Sequence, residues 1–196
     1  MQENVGRRSN AERAEATRVE LIQAGRALFV AKGYGETGTP ELVAAAGVTR
    51  GALYHHFADK RALFRAVVEA ESAAVAEAIN DASPDSMDAI EALTVGGDAF
   101  LKAMKETGRT RLLLLDGPAV LGREAMDEID ARHAGRTLRE GLAMAMREGA
   151  VRRLPLNALA AQLSAVFDRA ALAVANGADA GDQRKAIVAL IEGLKT

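Results

Sequence analysis

Ala46-Gly47-Val48-Thr49-Arg50-Gly51-Ala52-Leu53-Tyr54-His55-His56-Phe57 packs a tight turn and a short helix into twelve residues. Gly47 supplies the permissive backbone that the turn needs, and the Thr49 hydroxyl can accept an N–H from the first turn of a helix running to about Phe57. Upstream, Pro40 suits the first turn of another short helix ending near Ala46, with Thr39 or Gly38 as its cap. Ala44 to Ala46 are small enough for the two helices to cross closely. Helix, glycine turn and helix have the dimensions of a helix-turn-helix, whose second helix enters the DNA major groove. On that second helix Thr49, Arg50, Tyr54 and His55 offer a hydroxyl, a guanidinium, a phenol and an imidazole, and Lys60-Arg61 follow. These groups suit phosphates and base edges.

Outward from this unit the pattern stays helical. Leu21, Ile22, Gly25, Leu28 and Phe29 recur at three- and four-residue spacing, which makes one apolar face of a helix over about 14–32, ended by Gly33. Asp59 caps a fourth helix to near Asn80, with Leu63, Phe64, Val67 and Val68 inward, and Ser83-Pro84-Asp85-Ser86 closes the unit. Further helices are expected near 87–106, 110–116, 122–149, 155–176 and 182–195. The 42 alanines and only four prolines favour an all-α chain. The expected organisation is a flexible tail, 1–13, a helix-turn-helix domain with its connecting helix, 14–82, and a larger helical effector-binding and dimerisation bundle, 83–196.

Residues 17–68 resemble the amino-terminal domain of the TetR family of bacterial transcriptional regulators almost throughout. Thr17-Arg18, Ala27-Leu28-Phe29, Lys32-Gly33-Tyr34, the run from Ala46 to Phe57 and Lys60-Arg61-Ala62-Leu63 carry the likeness. It implies three DNA-binding helices, a fourth connecting to a variable ligand-binding bundle, and two last helices that pair between subunits. It makes Arg50 the base-contacting residue and Gly51 the point of close backbone approach. Thr49, Tyr54, His55, Lys60 and Thr39 become phosphate contacts. Phe57 reads as core, His56 as structural or solvent-facing and Arg61 as an ordinary solvated residue. Gly38 departs from the family pattern, having no hydroxyl to offer. The stretches Leu112 to Gly122 and Ile129 to His133 also resemble a carboxy-terminal domain type recurrent in the family, with Arg123 where relatives often carry an aromatic.

The net charge of -2 argues against a wholesale polyanion binder, but it is unevenly spread. Residues 1–65 hold 10 Lys+Arg against 7 Asp+Glu, and residues 66–196 hold 15 against 20, a weakly basic head on an acidic body. Five of the seven aromatics fall in that head. With no cysteine, disulfides and cysteine-based metal sites are excluded, and the cytoplasm is the expected location. Continuous apolar runs are far below the ~18 residues of a membrane span. Arg7-Arg8 lacks the apolar stretch that a twin-arginine signal requires.

Two motifs point elsewhere and fail on context. Gly33-Tyr34-Gly35-Glu36-Thr37-Gly38 has dinucleotide-loop spacing, yet a helix rather than a strand precedes it. Asp130 and His133 share a helix face as in a carboxylate-bridged metal bundle, but no second copy exists, and an ion-paired face with Arg132 and Arg136 accounts for them better. Asp127 and Asp168 complete the sparse set available to an enzyme. No catalytic residue, metal or cofactor is expected.

The body is expected to enclose a small-molecule pocket with walls from Phe100, Met104, Leu113, Met126, Met144 and Phe167, and with Asp116 and His133 as orienting polar groups. Its scarcity of aromatics favours an apolar effector. A homodimer is expected through the last two helices, with Leu163, Ala170, Ile187, Leu190, Ile191 and Leu194 at the interface and small alanines permitting close approach. The function expected is a ligand-responsive regulator, a repressor acting on a palindromic DNA operator. The alternative is a helical small-molecule-binding protein or enzyme whose DNA-binding motif has decayed.

Overall fold

The computed structural model describes residues 10–83 and 87–196. Most of the expected tail and the centre of the Ser83 to Ser86 turn lie outside the described residues. The chain divides into two compact units, one ending at Val67 and one running from Val68 to Thr196. The division falls inside one helix, earlier than the 82/83 boundary expected from sequence.

The first unit contains α1 (Asn10–Glu36), α2 (Thr39–Ala45), α3 (Arg50–His56) and the first turns of α4 (Lys60–Ala82). α1 already starts at Asn10, so residues 10–13 are helix rather than tail. Gly33 interrupts it with φ 80, a conformation that a side chain would resist. The Thr37 hydroxyl donates to the Gly33 carbonyl at 2.7 Å and so satisfies part of the interrupted helix end. Gly38 is the cap of α2, its N–H held by Glu41 at 3.2 Å, and Lys32 pairs with the same carboxylate. Thr49 caps α3 by accepting Ala52 N–H at 3.1 Å, and Asp59 caps α4 by accepting Ala62 N–H at 2.7 Å. Leu21, Phe29, Leu42, Leu53, Phe57, Leu63, Phe64 and Val67 form the core. Phe29, Tyr34 and Phe64 stack on one another at centroid distances of 5.1 to 5.9 Å.

The second unit continues α4 and adds α5 (Ala89–Ala103), α6 (Arg109–Arg111), α7 (Gly117–Leu121), α8 (Arg123–Arg132), α9 (Ala134–Arg147), α10 (Leu156–Ala175) and α11 (Ala180–Glu192). α5, α9, α10 and α11 pack together as its bundle. Arg184 clamps α11 to α5 with bonds of 2.8 and 2.9 Å to the two Asp98 oxygens. Arg109 ties α6 to α4 through Glu71 at 2.8 Å, with both side chains largely buried. The chain end is strapped to the α9–α10 connection, where Arg152 N–H donates to Leu194 O at 3.0 Å.

Three local features differ from the sequence expectation. Residues 112–116 form a π-helical turn rather than the end of a short α-helix, and α7, which opens on Gly117-Pro118, was not anticipated. A Cβ at residue 117 would lie 2.9 Å from the Leu112 carbonyl oxygen and from the Met126 sulfur, so the wide turn needs glycine there. The single helix expected over 122–149 is broken at His133. Asp130 turns back to accept Gly135 N–H at 3.1 Å, and a Cβ on Gly135 would approach the Asp130 carboxylate to 2.4 Å. Finally, α10 is long and apolar enough, by length and composition, to cross a membrane, with a mean hydropathy of 1.4. Its apolar stretch is not continuous, since Asn157, Gln162, Ser164, Asp168 and Arg169 interrupt it. Here Leu163, Phe167, Ala170 and Ala171 pack into the unit's core.

Candidate nucleic-acid interface and effector cavity

In the first unit the sequence decides which side of α3 stays open. Leu53 and Phe57 turn into the core, which leaves Thr49, Arg50, Gly51, Tyr54 and His55 exposed together. The Arg50 guanidinium lies 5.6 Å from the Tyr54 ring centroid and hydrogen-bonds its hydroxyl, which also meets Thr39. These bonds, Arg50's first, hold the phenol below its ordinary pKa. The three side chains therefore form one connected polar patch across α2 and α3. A Cβ on Gly51 would have Thr49 Oγ1 at 3.8 Å as its nearest neighbour, so this glycine is not required by packing. An approaching backbone can come close there.

Lys60 is different. Its ammonium donates to the Tyr34 and Thr37 carbonyls, each at 2.9 Å, and sits 4.3 Å from the Tyr34 ring centroid. It ties the start of α4 to the α1–α2 connection, and only one of its three donors remains for a phosphate. Gly33 to Gly38 joins two helices, so no strand feeds the glycine-rich spacing.

In the second unit a cavity of about 980 Å³ lies among helices α4 to α10. Phe100, Met104, Leu113 and Met126 line it, as expected from sequence. Met144 and Phe167 line an adjoining cavity of about 400 Å³, which shares Phe100, Asp130 and Ser164 with the larger one. Gly97 makes room for Phe167, since a Cβ there would lie 2.7 Å from the ring.

Asp116 and His133 line neither cavity, contrary to the expectation that they orient an effector. Asp116 faces Arg111 at 3.2 Å at the end of the π turn. His133 sits in the break between α8 and α9, its Nε2 buried without a hydrogen bond, and burial lowers its pKa. Among the polar residues that line the larger cavity, Asp130, Ser164 and Asp168 bring α8 and α10 together, while Arg123, Asp127, Arg136, Arg139, Glu140, Asn157 and Arg169 add further charge and polarity to its wall. Burial raises the Asp130 carboxyl, against the opposing hydrogen bonds from Ser164 and Gly135. Burial, and then the Asp130 charge, push Asp168 up to about 6. The sequence suggested Asp130 on a solvated or ion-paired face and offered Asp168 only among the few residues available to an enzyme. The available signal was an acidic residue embedded in the alanine-rich run of α10, where a purely structural helix has no use for one.

Of the six residues assigned to a subunit interface, Leu163, Ala170, Ile187 and Ile191 are buried inside the protomer, so they belong to its own core. Leu190 is 50% exposed and Leu194 is half-buried. The open faces instead carry Ala158 on α10, and Ala186, Ala189 and Leu190 on α11, while the exposed Ala161 and Ala165 line the larger cavity.

Comparison with known proteins follows the same division. Residues 21–67 match the family described as bacterial regulatory proteins, tetR family. Residues 90–195 match the tetracyclin repressor-like, C-terminal domain. A crystal structure of a TetR-family transcriptional regulator from Pectobacterium atrosepticum is 32% identical with a TM-score of 0.74, covering 96% of this chain and 98% of that one. The HTH-type transcriptional repressor BepR of Brucella suis biovar 1 is 40% identical over 62 residues, which is 32% of this chain and 29% of BepR. The HTH-type transcriptional regulator AcrR of Shigella flexneri is 37% identical over 70 residues, 36% of this chain and 33% of AcrR. The matched part thus spans about a third of the length of these curated relatives. The carboxy-terminal match alone covers more than half of the 196 residues, the solved relative covers both units, and the chain belongs to the TetR family of bacterial regulatory proteins.

Proposed function

We propose that this protein is a ligand-responsive repressor that binds a roughly palindromic operator as a homodimer and releases it when a small molecule enters the second unit. The observation that carries this reading is the open polar face of α3, where Thr49, Arg50, Gly51, Tyr54 and His55 are exposed beside one another while Leu53 and Phe57 anchor the helix from behind. Arg50 supplies bidentate readout of a guanine edge, Gly51 admits the duplex closely, and Thr39, Thr49, Tyr54 and His55 position the phosphates. Lys60 acts mainly by fixing the α1–α2 connection, with one donor left for phosphate.

The dimer forms through the alanine faces of α10 and α11, with Leu190 as its main apolar anchor; small side chains let helices approach closely. Two-fold pairing of readers explains a palindromic site. Release follows when the effector binds one arrangement of the dimer more tightly than the other. Selection from random genomic fragments followed by footprinting tests the reading. The expected result is a protected sequence with two related half-sites, no longer enriched by Arg50→Ala. Recovery of no preferred sequence by the native protein overturns it.

A further inference from the structure

We infer that the larger cavity takes an organic cation, an amine or amidine on an apolar body, with the Asp168 carboxylate as its anchor. This rests on the proposal that the cavity is the effector site, and it replaces the purely apolar effector suggested by composition. The apolar wall is broad, with Val75, Phe100, Met104, Leu113, Met126 and Leu172 all lining the space. Against it stand two carboxyl groups in unequal situations. Both Asp130 oxygens are engaged, Oδ1 by Gly135 N–H at 3.1 Å and Oδ2 by Ser164 at 3.2 Å. Among the described residues no hydrogen bond or ion pair reaches Asp168, although it lines the cavity. A half-buried carboxylate that receives no hydrogen bond is under-satisfied, and a protonated nitrogen supplies both the charge and the donors that it lacks.

Of the cavity's other charges, Arg123 alone draws the Asp168 carboxyl down, and burial together with the Asp130 charge outweighs it. Arg123 faces Asp127 at 3.4 Å, Arg136 faces Glu140 at 3.8 Å, and Arg139 donates to Asn157 at 2.9 Å, so α8 and α9 bring their charges largely as neighbours of each other. Arg169, next to Asp168 on α10, is exposed. An anionic effector would have to compete for solvated arginines and face Asp130 and Asp168 across the same space. A cation meets a charge that is already in place.

Protons compete with such a ligand. Because Asp168 titrates at about 6, its ionised fraction rises about tenfold between about pH 5 and about pH 7.5, and cation affinity should rise with it.

Three probes with one body separate the possibilities: 9-(aminomethyl)anthracene, 9-anthracenemethanol and 9-anthracenecarboxylic acid. Their binding to the full chain is measured by titration calorimetry across that pH range, for the native protein, Asp168→Asn and Asp168→Glu. The amine is expected to bind at least about tenfold more tightly than the alcohol near pH 7.5, a gap of about 1.4 kcal/mol. The gap should close toward pH 5, vanish in Asp168→Asn and persist in Asp168→Glu. Equal binding of amine and alcohol, preference for the carboxylate, survival of the amine preference in Asp168→Asn, or binding of none of the three each overturns the inference. Release of the selected operator fragment is scored in parallel. An Asp168-dependent amine that leaves the operator complex intact keeps the cation site and removes the effector reading, whereas release by the carboxylate does the reverse.

Discussion

Gly51 and Lys60 separate folding from recognition at the level of single side chains. Gly51 lies in a helix with open space around its missing Cβ, so Gly51→Ala should stabilise the fold by about 0.5–1 kcal/mol. The same methyl group stands where the duplex must come near, so operator affinity should fall. A rise in melting temperature together with weaker operator binding is the expected pair; unchanged binding would remove Gly51 from the interface. Lys60→Ala should show the opposite emphasis. Two charged hydrogen bonds to Tyr34 and Thr37 are lost, a loss of about 1–3 kcal/mol in thermal unfolding, while the ratio of specific to nonspecific DNA binding stays near its native value. Arg50→Ala should reduce that ratio with little effect on melting. The Thr49 cap was legible in the sequence because cap spacing is local. The role of Lys60 was not, since its partners are carbonyls on a distant connection that no residue letter reports.

Among the elements, the break between α8 and α9 shows why helix periodicity alone misled. Residues 123–148 carry mostly helix-forming letters with Gly135 and Gly141 among them, and the apolar spacing itself does not mark His133 as a corner. The corner exists because the Asp130 side chain caps the first turn of α9 and Gly135 leaves it room. Gly135→Ala should therefore destabilise the second unit by about 1–3 kcal/mol despite alanine's better helix propensity. Calorimetric unfolding measures this, and a neutral or stabilising result would show that the corner adapts freely. The π turn at 112–116 escaped the sequence for a similar reason, being set by how a glycine and a proline follow four leucines. By contrast, α2, α3 and the cap of α4 were readable from Pro40, Thr49 and Asp59, where one residue fixes one boundary.

For the whole molecule, the half-buried charge of Asp168 gives stability a pH dependence. The carboxyl ionises near 3.8 in the unfolded chain and at about 6 in the folded one, so stability is greatest below the first value and is lost as pH rises through the second. Asp168→Asn removes that loss. It should be more stable than the native protein by on the order of 1–3 kcal/mol near neutral pH, with the gap narrowing as pH falls toward about 4. Melting curves across that range check the sign. Association belongs to this scale as well. Ala158→Glu and Leu190→Glu place charge on exposed faces, so they should yield folded monomers in sedimentation, with operator affinity reduced at least about tenfold. Persistence of a dimer in both variants would relocate the interface. The sequence reading assigned this contact to the same two helices but chose their inward residues, because apolar letters do not reveal which face a neighbouring helix has already covered.

The stacking of Tyr34 on Phe29 and Phe64, and the openness of Tyr54 beside Arg50, carry an optical consequence. These are the only tyrosines, and the chain has no tryptophan, so its tyrosine emission arises entirely from the first unit. Excitation at wavelengths that phenylalanine does not absorb leaves the cavity-bearing unit dark. A colourless ligand that fills the cavity without disturbing the DNA reader leaves the emission unchanged. One that does disturb it alters the signal of Tyr34 or Tyr54, and Tyr54→Phe separates the two contributions. The unmodified protein thus carries its own reporter of communication between its halves, readable in a cuvette before any operator is known.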